Sequence, residues 1–363
     1  MRVIECSGDP TRIGEATGEA LREEIAEHIA LFPMGRGEEF DARLPTFLAT
    51  LDRQLPTVLE EMRATARGAG VDQRKILRLN LPLYAGELDL EDCTNFVFSG
   101  GPDGPIWGKN NDGCEPHRPV VARYVRPDAG IPQVTFTFAG MVATTDGMNA
   151  EGVAVGHSSV GSVFQQSDRF TPIRLWAYEI MSRARTTPEF IRGMSEQPLR
   201  GKGYAAVGID TAGTAVGIDA ACPLLQIRQP AAGSLGLHAV NCYQHPALLH
   251  ADRRPPEGKL DAHQRWHLLD RVLNAGDGPS AADDVSDGCG DLADAPLPEP
   301  AGTDLSFARA LLHHHGEAVS LCRHGAPLGY RSEYSMIGLP ASRRLLFCGM
   351  HPCEHDYEEL VVQ

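Results

Sequence analysis

The sequence predicts an α+β protein in which helical segments alternate with blocks of short strands. Residues 1–92 are mostly helical in pattern, because apolar residues recur there at helical spacing after one short strand. From residue 93 onward, short β-branched and aromatic runs are divided by Gly, Pro, Asn and Asp, which is typical of hairpins. Helices, a second strand block, another helix and closing strands follow. Two antiparallel sheets packed face to face with helices outside fit this order, and so does another α+β arrangement.

The bulk composition is that of an ordinary globular protein and excludes several classes of partner. The 363 residues are 42% hydrophobic and 22% charged, enough for one large domain or two modest ones. The formal net charge of −15 disfavours nucleic acid or an anionic membrane surface as the main partner, since both require a basic face. No apolar run has the length of a membrane span, and no signal peptide is expected.

The nine cysteines are scattered, odd in number and free of any Cys-x-x-Cys pair. This pattern disfavours a disulfide framework or a zinc module and favours a reducing cytoplasm, with most thiols packed as small hydrophobic side chains. No metal and no cofactor are expected.

Helix boundaries in the first 92 residues are predicted from capping residues. Asp9 and Pro10 supply the cap and the first position of a helix running to residue 32. A second helix is expected to begin at Leu55 and to stop at Gly68, and a third to follow Asp72 as its cap.

Later elements are predicted in the same way. A hairpin is expected around residues 146–156, with Asp146-Gly147 and Glu151-Gly152 supplying positive φ angles. Helices are expected after Thr171-Pro172 and after Thr187-Pro188.

The C-terminal part is expected to begin with a helix from residue 260 that ends at Gly276. Residues 277–304, rich in Asp, Ala, Gly and Pro, are expected to form a loop or a mobile insertion. Strands are then predicted over residues 318–324, 331–340 and 343–350.

Cys93, directly after Asp92 at the predicted start of a strand, is the principal catalytic candidate. By itself it is one thiol among nine, and packing is the more ordinary interpretation. A chain cut before Cys93 would, however, give its thiol a neighbouring α-amine with a pKa near ~8, able to act as a base. Such a site also needs a carboxylate for the ammonium group and polar donors for an oxyanion.

The residues around this position resemble a known family. Cys93-Thr94, the stretch Gly108–Asp112 and the Gly-x-Asn-x-x-Gly-Val hairpin at 147–153 resemble the isopenicillin N acyltransferase group, peptidase family C45, of N-terminal-nucleophile cysteine hydrolases. Penicillin V acylase and bile-salt hydrolase (choloylglycine hydrolase) are more distant relatives. The resemblance covers nearly the whole chain and implies a four-layer αββα sandwich with a helical N-terminal part.

The resemblance implies specific roles. Cys93 would be the nucleophile, first for self-cleavage of the Asp92–Cys93 bond and then for amide acylation. Asp112 would orient the new α-amine, Asn241 would stabilise the oxyanion, and Arg331 would lie near the reacting carboxamide. Residues 1–92 and 93–363 would become two chains that stay together. Whether this pair assembles further into a homo-oligomer is left open.

Four further residues are implied as substrate-binding groups. Thr94 and Asn111 flank the nucleophile and the acid, and Lys109 occupies the position where the penicillin V acylase branch has Arg. His157 follows the hairpin where relatives place pocket groups, although a packed or surface His is the more ordinary interpretation. The implied substrate is a small linear amide or N-acyl compound.

Three departures from the family pattern bear on substrate and cleavage. Asp92 stands where the acyltransferases usually have Gly, Tyr330 precedes Arg331 where the fungal enzyme has Ser, and Ala-Val-Asn-Cys at 239–242 replaces His-Thr-Asn-His. Tyr330 in place of Ser favours hydrolysis over transfer to an amine, whereas Asp92 is the feature that favours an uncleaved chain. Acyl-CoA-dependent transfer and an uncleaved, non-catalytic homologue stay open.

The remaining histidines carry weaker signals. His263 and His267 have the i, i+4 spacing of a zinc pair, yet lack a third ligand, so a packed helix face is expected. The run His313–His315 is expected to be solvated.

Overall fold

The computed structural model describes residues 1–31, 36–83, 91–164, 166–273, 302–316, 319–326 and 328–363. Its helices are α1 (Pro10–Ala20), α2 (Arg22–Leu31), α3 (Gly37–Gln54), α4 (Pro56–Ala69), α5 (Gln73–Asn80), α6 (Ile173–Met181), α7 (Thr187–Met194), α8 (Pro256–Leu273) and α9 (Leu305–Leu312). Its strands are β1 (Arg2–Gly8), β2 (Glu91–Phe98), β3 (Ile106–Gly113), β4 (Val120–Pro127), β5 (Gln133–Phe138), β6 (Asp146–Asn149), β7 (Ala154–Ser159), β8 (Thr171–Pro172), β9 (Leu199–Arg200), β10 (Tyr204–Ile209), β11 (Val216–Ala220), β12 (Leu225–Arg228), β13 (Gly236–Ala239), β14 (Arg331–Leu339), β15 (Arg344–Gly349) and β16 (Glu358–Val361).

Two sheets contain nearly all of these strands. Within the described residues, the first sheet has eight strands in the order β1-β4-β5-β6-β7-β10-β11-β12. The second sheet has six, in the order β13-β2-β3-β14-β15-β16. Neighbours are antiparallel except β1 and β4, which are parallel. The N-terminal strand β1 is thus an edge strand of the first sheet. It is separated in sequence from its partner β4 by the N-terminal helices α1–α5 and by β2 and β3.

The sheets pack face to face and helices cover their outer sides. Strands β2 and β3 contact β7 and β10 across the interface, where Trp107 and Val155 belong to one buried apolar cluster. Helices α8 and α9 cover the other face of the second sheet, with Phe96, Trp266 and Phe307 in a separate cluster. Helix α1 packs on β1 and β4 of the first sheet. The predicted αββα sandwich is confirmed.

Two helix boundaries differ from the predictions. The helix expected over residues 10–32 is interrupted at Leu21, whose N–H bonds to the carbonyl of Thr17. Gly68 does not end α4. It lies inside the helix, where a Cβ atom would be 2.2 Å from the backbone oxygen of Glu15 on α1. The helix ends at Gly70, at φ +70°, so Gly68 serves close helix packing rather than termination.

The strand containing the candidate nucleophile begins earlier than predicted. Cys93 is the third residue of β2, which starts at Glu91 and is buried throughout. In the predicted hairpin, Gly152 has φ +82° as expected. Gly147 instead lies within β6, and the positive φ, +103°, falls on Thr145.

The C-terminal region contains one helix that was not predicted and lacks one strand that was. Residues 319–324 form no strand, and only an isolated bridge joins His324 to Arg331. Helix α9 begins after Asp304, whose side chain accepts from the N–H of Phe307. The predicted end of α8 at Gly276 and most of the predicted loop at 277–304 lie outside the described residues. Among the helices that the structure describes, none is both long and apolar enough to cross a membrane.

Candidate active site

Strands β2 and β3 place the candidate residues on two opposite faces of the second sheet. Cys93 pairs with Asn111 and Asp92 pairs with Asp112 in the antiparallel register. Because side chains alternate along a strand, Cys93 and Asn111 face the first sheet, whereas Asp92 and Asp112 face helix α8. The scissile bond proposed from the sequence therefore lies where the chain passes from one face to the other.

Strand β13 ends just short of the nucleophile. Its last residue, Ala239, pairs with Asn95, so no strand covers Cys93 on that side. The side chain of Asn241 takes this place, and its Oδ1 accepts from the backbone N–H of Cys93 at 2.7 Å. Arg265 Nη1 donates to the carbonyl oxygen of Cys93 at 2.5 Å. Side chains rather than a strand thus bind the backbone at the candidate cleavage point.

The thiol of Cys93 is enclosed and protonated at neutral pH. Only 1% of the residue is exposed, and Sγ donates to Oδ1 of Asn111 at 3.3 Å. Burial raises the pKa of the Cys93 thiol to about 12, and the nearby Lys109 ammonium opposes this only in part. Nucleophilic attack by this sulfur therefore requires a base that removes its proton.

Asp146 organises the buried polar groups on the thiol side of the sheet. Its carboxylate lies 2.8 Å from Nζ of Lys109 and 3.0 Å from Nδ1 of His157, and it accepts from the hydroxyl of Tyr334 at 3.0 Å. Burial alone would raise the pKa of Asp146, but Lys109 and His157 hold it well below its usual range. Lys109 is therefore a fixed buried cation beside the thiol.

His157 is buried in this network as a neutral ring. Burial lowers the pKa of His157 to about 4 in spite of its bond to Asp146. Its backbone carbonyl accepts from Lys109 at 2.5 Å. The structure thus brings together three predicted residues, Cys93, Lys109 and Asn111, with His157 behind Lys109.

Asp92 is bound by cations on the opposite face. Arg265 of α8 donates to Oδ1 of Asp92 at 2.7 Å, while Arg254 and Arg323 lie 3.6 Å and 3.8 Å from its carboxylate. Arg265 also pairs with Asp261 at 2.9 Å. The residue before the proposed cleavage point is thus held by α8 and is directed away from the sulfur.

Asp112, the predicted acid, is buried next to Asp92. Its Oδ1 accepts from Oγ of Ser332 at 2.7 Å, and Oδ2 has no hydrogen-bond partner among the described residues. Burial raises the pKa of Asp112 to about 7, and Asp92 adds to this effect while Arg323 opposes it. A positive group placed beside this carboxyl would favour its ionised form.

We expect this pKa to make the stability of the uncut chain depend on pH. Between the ordinary Asp value of 3.8 and about 7, folded Asp112 keeps a proton that the unfolded chain has lost, so stability falls as pH rises through that window. In a Cys93→Ala background, Asp112→Asn should therefore become progressively stabilising from pH 4 to pH 7, by about 4 kcal/mol at most, and level off above.

Urea unfolding at a series of pH values measures this difference. Asp52→Asn, at an exposed position of α3, is the matched control for the removal of a carboxylate. A pH-independent difference for Asp112→Asn would show that Asp112 is ionised in the folded chain.

Two residues before Cys93, Glu91 is surrounded by cations. Its carboxylate lies 2.6 Å from Arg174 of α6, 3.1 Å from Arg118 and 3.1 Å from Nζ of Lys202, and it accepts from Oγ of Ser159. Burial would raise the pKa of Glu91, but these cations hold it well below its usual range. Nothing in the sequence marked this cluster, because its cations come from three separate segments.

The remaining predicted residues, Thr94, Asn241 and Arg331, have different surroundings. Oγ1 of Thr94 accepts from Arg265 at 3.4 Å on the α8 side. Nδ2 of Asn241 donates to the carbonyl of Ser159 at 2.8 Å, while its Oδ1 binds Cys93. Arg331 begins β14 with 44% of its side chain exposed, 3.9 Å from Glu115. The structure therefore does not bring Arg331 together with Cys93, and its role stays a prediction.

Comparisons with known proteins agree with the resemblance seen in the sequence. No family model matches the chain. A curated protein, the 40 kDa form of acyl-coenzyme A:6-aminopenicillanic-acid-acyltransferase from Emericella nidulans, is 26% identical over 170 residues, covering 44% of this chain and 47% of that protein. The match thus spans about half the length of the relative.

Two solved structures are also similar. Penicillin V acylase from Agrobacterium tumefaciens has 14% identity and a TM-score of 0.38, over 71% of this chain and 83% of that one. The Caenorhabditis elegans orthologue of N-acylethanolamine-hydrolyzing acid amidase has 13% identity and a TM-score of 0.45, over 69% and 93%.

The chain has the αββα architecture that the N-terminal-nucleophile hydrolase resemblance implied. Its similarity to the acyl-coenzyme A:6-aminopenicillanic-acid-acyltransferase agrees with the resemblance to the isopenicillin N acyltransferase group.

Proposed function

We propose that the chain is an N-terminal-nucleophile amidohydrolase that first cuts its own Asp92–Cys93 bond. The observation that carries this proposal is the position of Cys93. It lies on β2 of the second sheet, just past the end of the edge strand β13, beside Asn111 and buried Lys109, and its backbone N–H is bound by Asn241. A packing thiol has no need of three side chains, Asn111, Asn241 and Arg265, bonded to its sulfur and backbone.

Self-cleavage would proceed by an N→S acyl shift. The sulfur of Cys93 attacks the carbonyl carbon of Asp92, the C–N bond breaks, and the proton of the thiol ends on the leaving nitrogen. Water then hydrolyses the thioester, which leaves a carboxylate on Asp92 and a free α-amine and thiol on Cys93. Because Asp112 pairs with Asp92 across the strands, the new ammonium forms close to the Asp112 carboxyl.

Amide cleavage would use the same atoms again. The α-amine takes the thiol proton, sulfur attacks the substrate carbonyl, and the ammonium returns the proton to the departing nitrogen. Water releases the acyl group from the thioester, or an amine does so if one binds. Lys109 favours the thiolate electrostatically, and Asn241 would supply an oxyanion donor by reorientation of its amide after the cut.

The two halves would stay associated after cleavage. Strand β1 pairs with β4 along its whole length, and α1 also contacts β4, so contacts of residues 1–92 with the rest do not depend on the cut bond. None of the eight described cysteines forms a disulfide, which supports a reducing, cytoplasmic location.

Mass detection of products from an amide library tests the activity. We expect free acid and amine from at least one linear N-acyl compound, and a trapped acyl group on the chain that begins at Cys93. Adding an amine acceptor and an acyl thioester measures the partition between hydrolysis and transfer. A correctly cut protein that acylates on another residue would contradict the proposal, and an uncut, inactive chain would favour a non-catalytic homologue.

The cations around Glu91 support an amide with a negatively charged substituent as the substrate. Cleavage separates Glu91 from Cys93, and a shift of Glu91 out of β2 would expose the side chains of Arg118, Arg174 and Lys202. A carboxylate or similar anion on the substrate would then replace that of Glu91.

Arg174→Gln should therefore lower kcat/KM for an anionic amide by roughly tenfold or more, the equivalent of one charge-assisted hydrogen bond. The matched neutral amide should be cleaved at the wild-type rate. Arg192→Gln, an exposed position on α7, should change neither. Equal losses on both substrates would show that Arg174 only supports the fold.

A further inference from the structure

Four side chains near the C-terminus converge on one point outside the candidate active site. They are His315, Cys322, His324 and Cys353, and their ligand atoms all lie within 4.8 Å of one another. Sγ of Cys322 is 3.6 Å from Sγ of Cys353 and 3.6 Å from Nε2 of His324, which is in turn 3.3 Å from Sγ of Cys353. Two thiols and two imidazoles are the ligand set that binds zinc in small structural sites.

The separations match those of ligands around one tetrahedral zinc ion. Zn–S bonds of about 2.3 Å and Zn–N bonds of about 2.0–2.1 Å at tetrahedral angles place two sulfurs about 3.8 Å apart and a sulfur and a nitrogen about 3.5 Å apart. The distances among Cys322, His324 and Cys353 lie close to these values. Packing alone does not require three such atoms to lie within 3.3–3.6 Å of one another.

A carboxylate lies behind one of the histidines. Oε1 of Glu354 is 3.8 Å from Nδ1 of His324, the ring nitrogen that does not face the two sulfurs. His351 stacks on the His324 ring with centroids 4.0 Å apart and pairs with Glu354 at 3.3 Å. Metal-binding histidines commonly have such a carboxylate partner, which fixes the ring orientation.

We propose that these four residues bind one Zn²⁺ ion as a closed structural site. All four tetrahedral positions are filled by protein ligands, so no position stays open for substrate. The ion would join the segment around His315, the loop with Cys322 and His324, and the turn after β15 that carries Cys353. The sequence spacing conceals the site, since its two cysteines are 31 residues apart.

Such a site would also fix Arg323, which lies between two of the ligands. Its Nη1 donates to Asp261 at 2.8 Å, its guanidinium is 3.8 Å from Asp92, and its backbone bonds with Ser332, the partner of Asp112. The zinc site is thus a neighbour of the carboxylates next to the cleavage point, and it is independent of whether the chain is an amidohydrolase.

Metal analysis of the full-length protein, produced without a histidine tag in zinc-supplemented medium, tests the proposal. We expect about one zinc per chain, and a large loss of zinc in Cys353→Ser and in His324→Asn. His250→Asn, a substitution of an exposed histidine outside the cluster, is the control and should keep the ion. Cobalt substitution of the wild type should give sulfur-to-cobalt charge-transfer absorption, which should be largely lost in Cys353→Ser.

The wild-type measurements keep the test decisive if a variant fails to fold. Reduced wild-type protein without bound zinc and without the cobalt absorption would overturn the proposal. Full zinc retention in both Cys353→Ser and His324→Asn would also overturn it, because the metal would then be bound elsewhere.

Discussion

Cys93→Ala should leave the chain in one piece and abolish turnover, with amide cleavage at least a thousandfold below wild type. The methyl group has no lone pair to attack either the Asp92 carbonyl or a substrate. Cys93→Ser should still cut itself, slowly, because a hydroxyl can make the same acyl shift. Intact-mass analysis during storage and product release from an amide substrate measure the two effects.

Another buried thiol provides the control for this substitution. Cys6 lies on β1 with its sulfur 3.4 Å from Oγ1 of Thr17. Cys6→Ala should cut and turn over like the wild type. If Cys93→Ala split at the same bond, the thiol would have no part in self-cleavage. If it stayed whole but kept its activity, the nucleophile would be another residue.

Arg265→Met should be the most destabilising single substitution at the site. Arg265 is fully buried and pairs with both Asp92 and Asp261, and it also donates to the Cys93 carbonyl. Its loss would leave buried Asp92 without its nearest cation and Asp261 with Arg323 alone, and a buried pair that loses one partner costs roughly 3–5 kcal/mol. Urea unfolding in the uncut Cys93→Ala background measures the difference.

An exposed arginine serves as the comparison. Arg53→Met on α3 should change the free energy of unfolding by no more than about 0.5 kcal/mol. A similarly small change for Arg265→Met would mean that the carboxylates are protonated or solvated in the folded chain, and that α8 does not hold Asp92 through a salt bridge.

The class of fold could be predicted from the sequence because strand and helix patterns are local. Asp9 and Asp72 cap α1 and α5 as expected. Each carboxylate accepts from a backbone N–H two or three residues further along the chain, so the cap depends only on local sequence. Gly68 misled the prediction because its role depends on the backbone of Glu15, 53 positions away in sequence. The parallel pairing of β1 with β4 is likewise a long-range contact without a local signal.

The candidate site could be predicted only where its residues share one hairpin. Cys93, Lys109 and Asn111 were found together because β2 and β3 are consecutive strands. Asp146 was interpreted as a turn residue, although in the folded chain it binds Lys109, His157 and Tyr334. The Glu91 cations and Arg265 come from distant segments and meet only after folding, so residue type and spacing could not identify them.

The mass and N-terminal sequence of purified wild-type protein test the central claim most directly. The account predicts two fragments that meet at residue 93, the larger of which begins with Cys93-Thr94 and alone carries the acyl group during turnover. A single chain of 39.2 kDa that hydrolyses amides at full rate would contradict it, because an uncut backbone has no α-amine to accept the proton of the thiol.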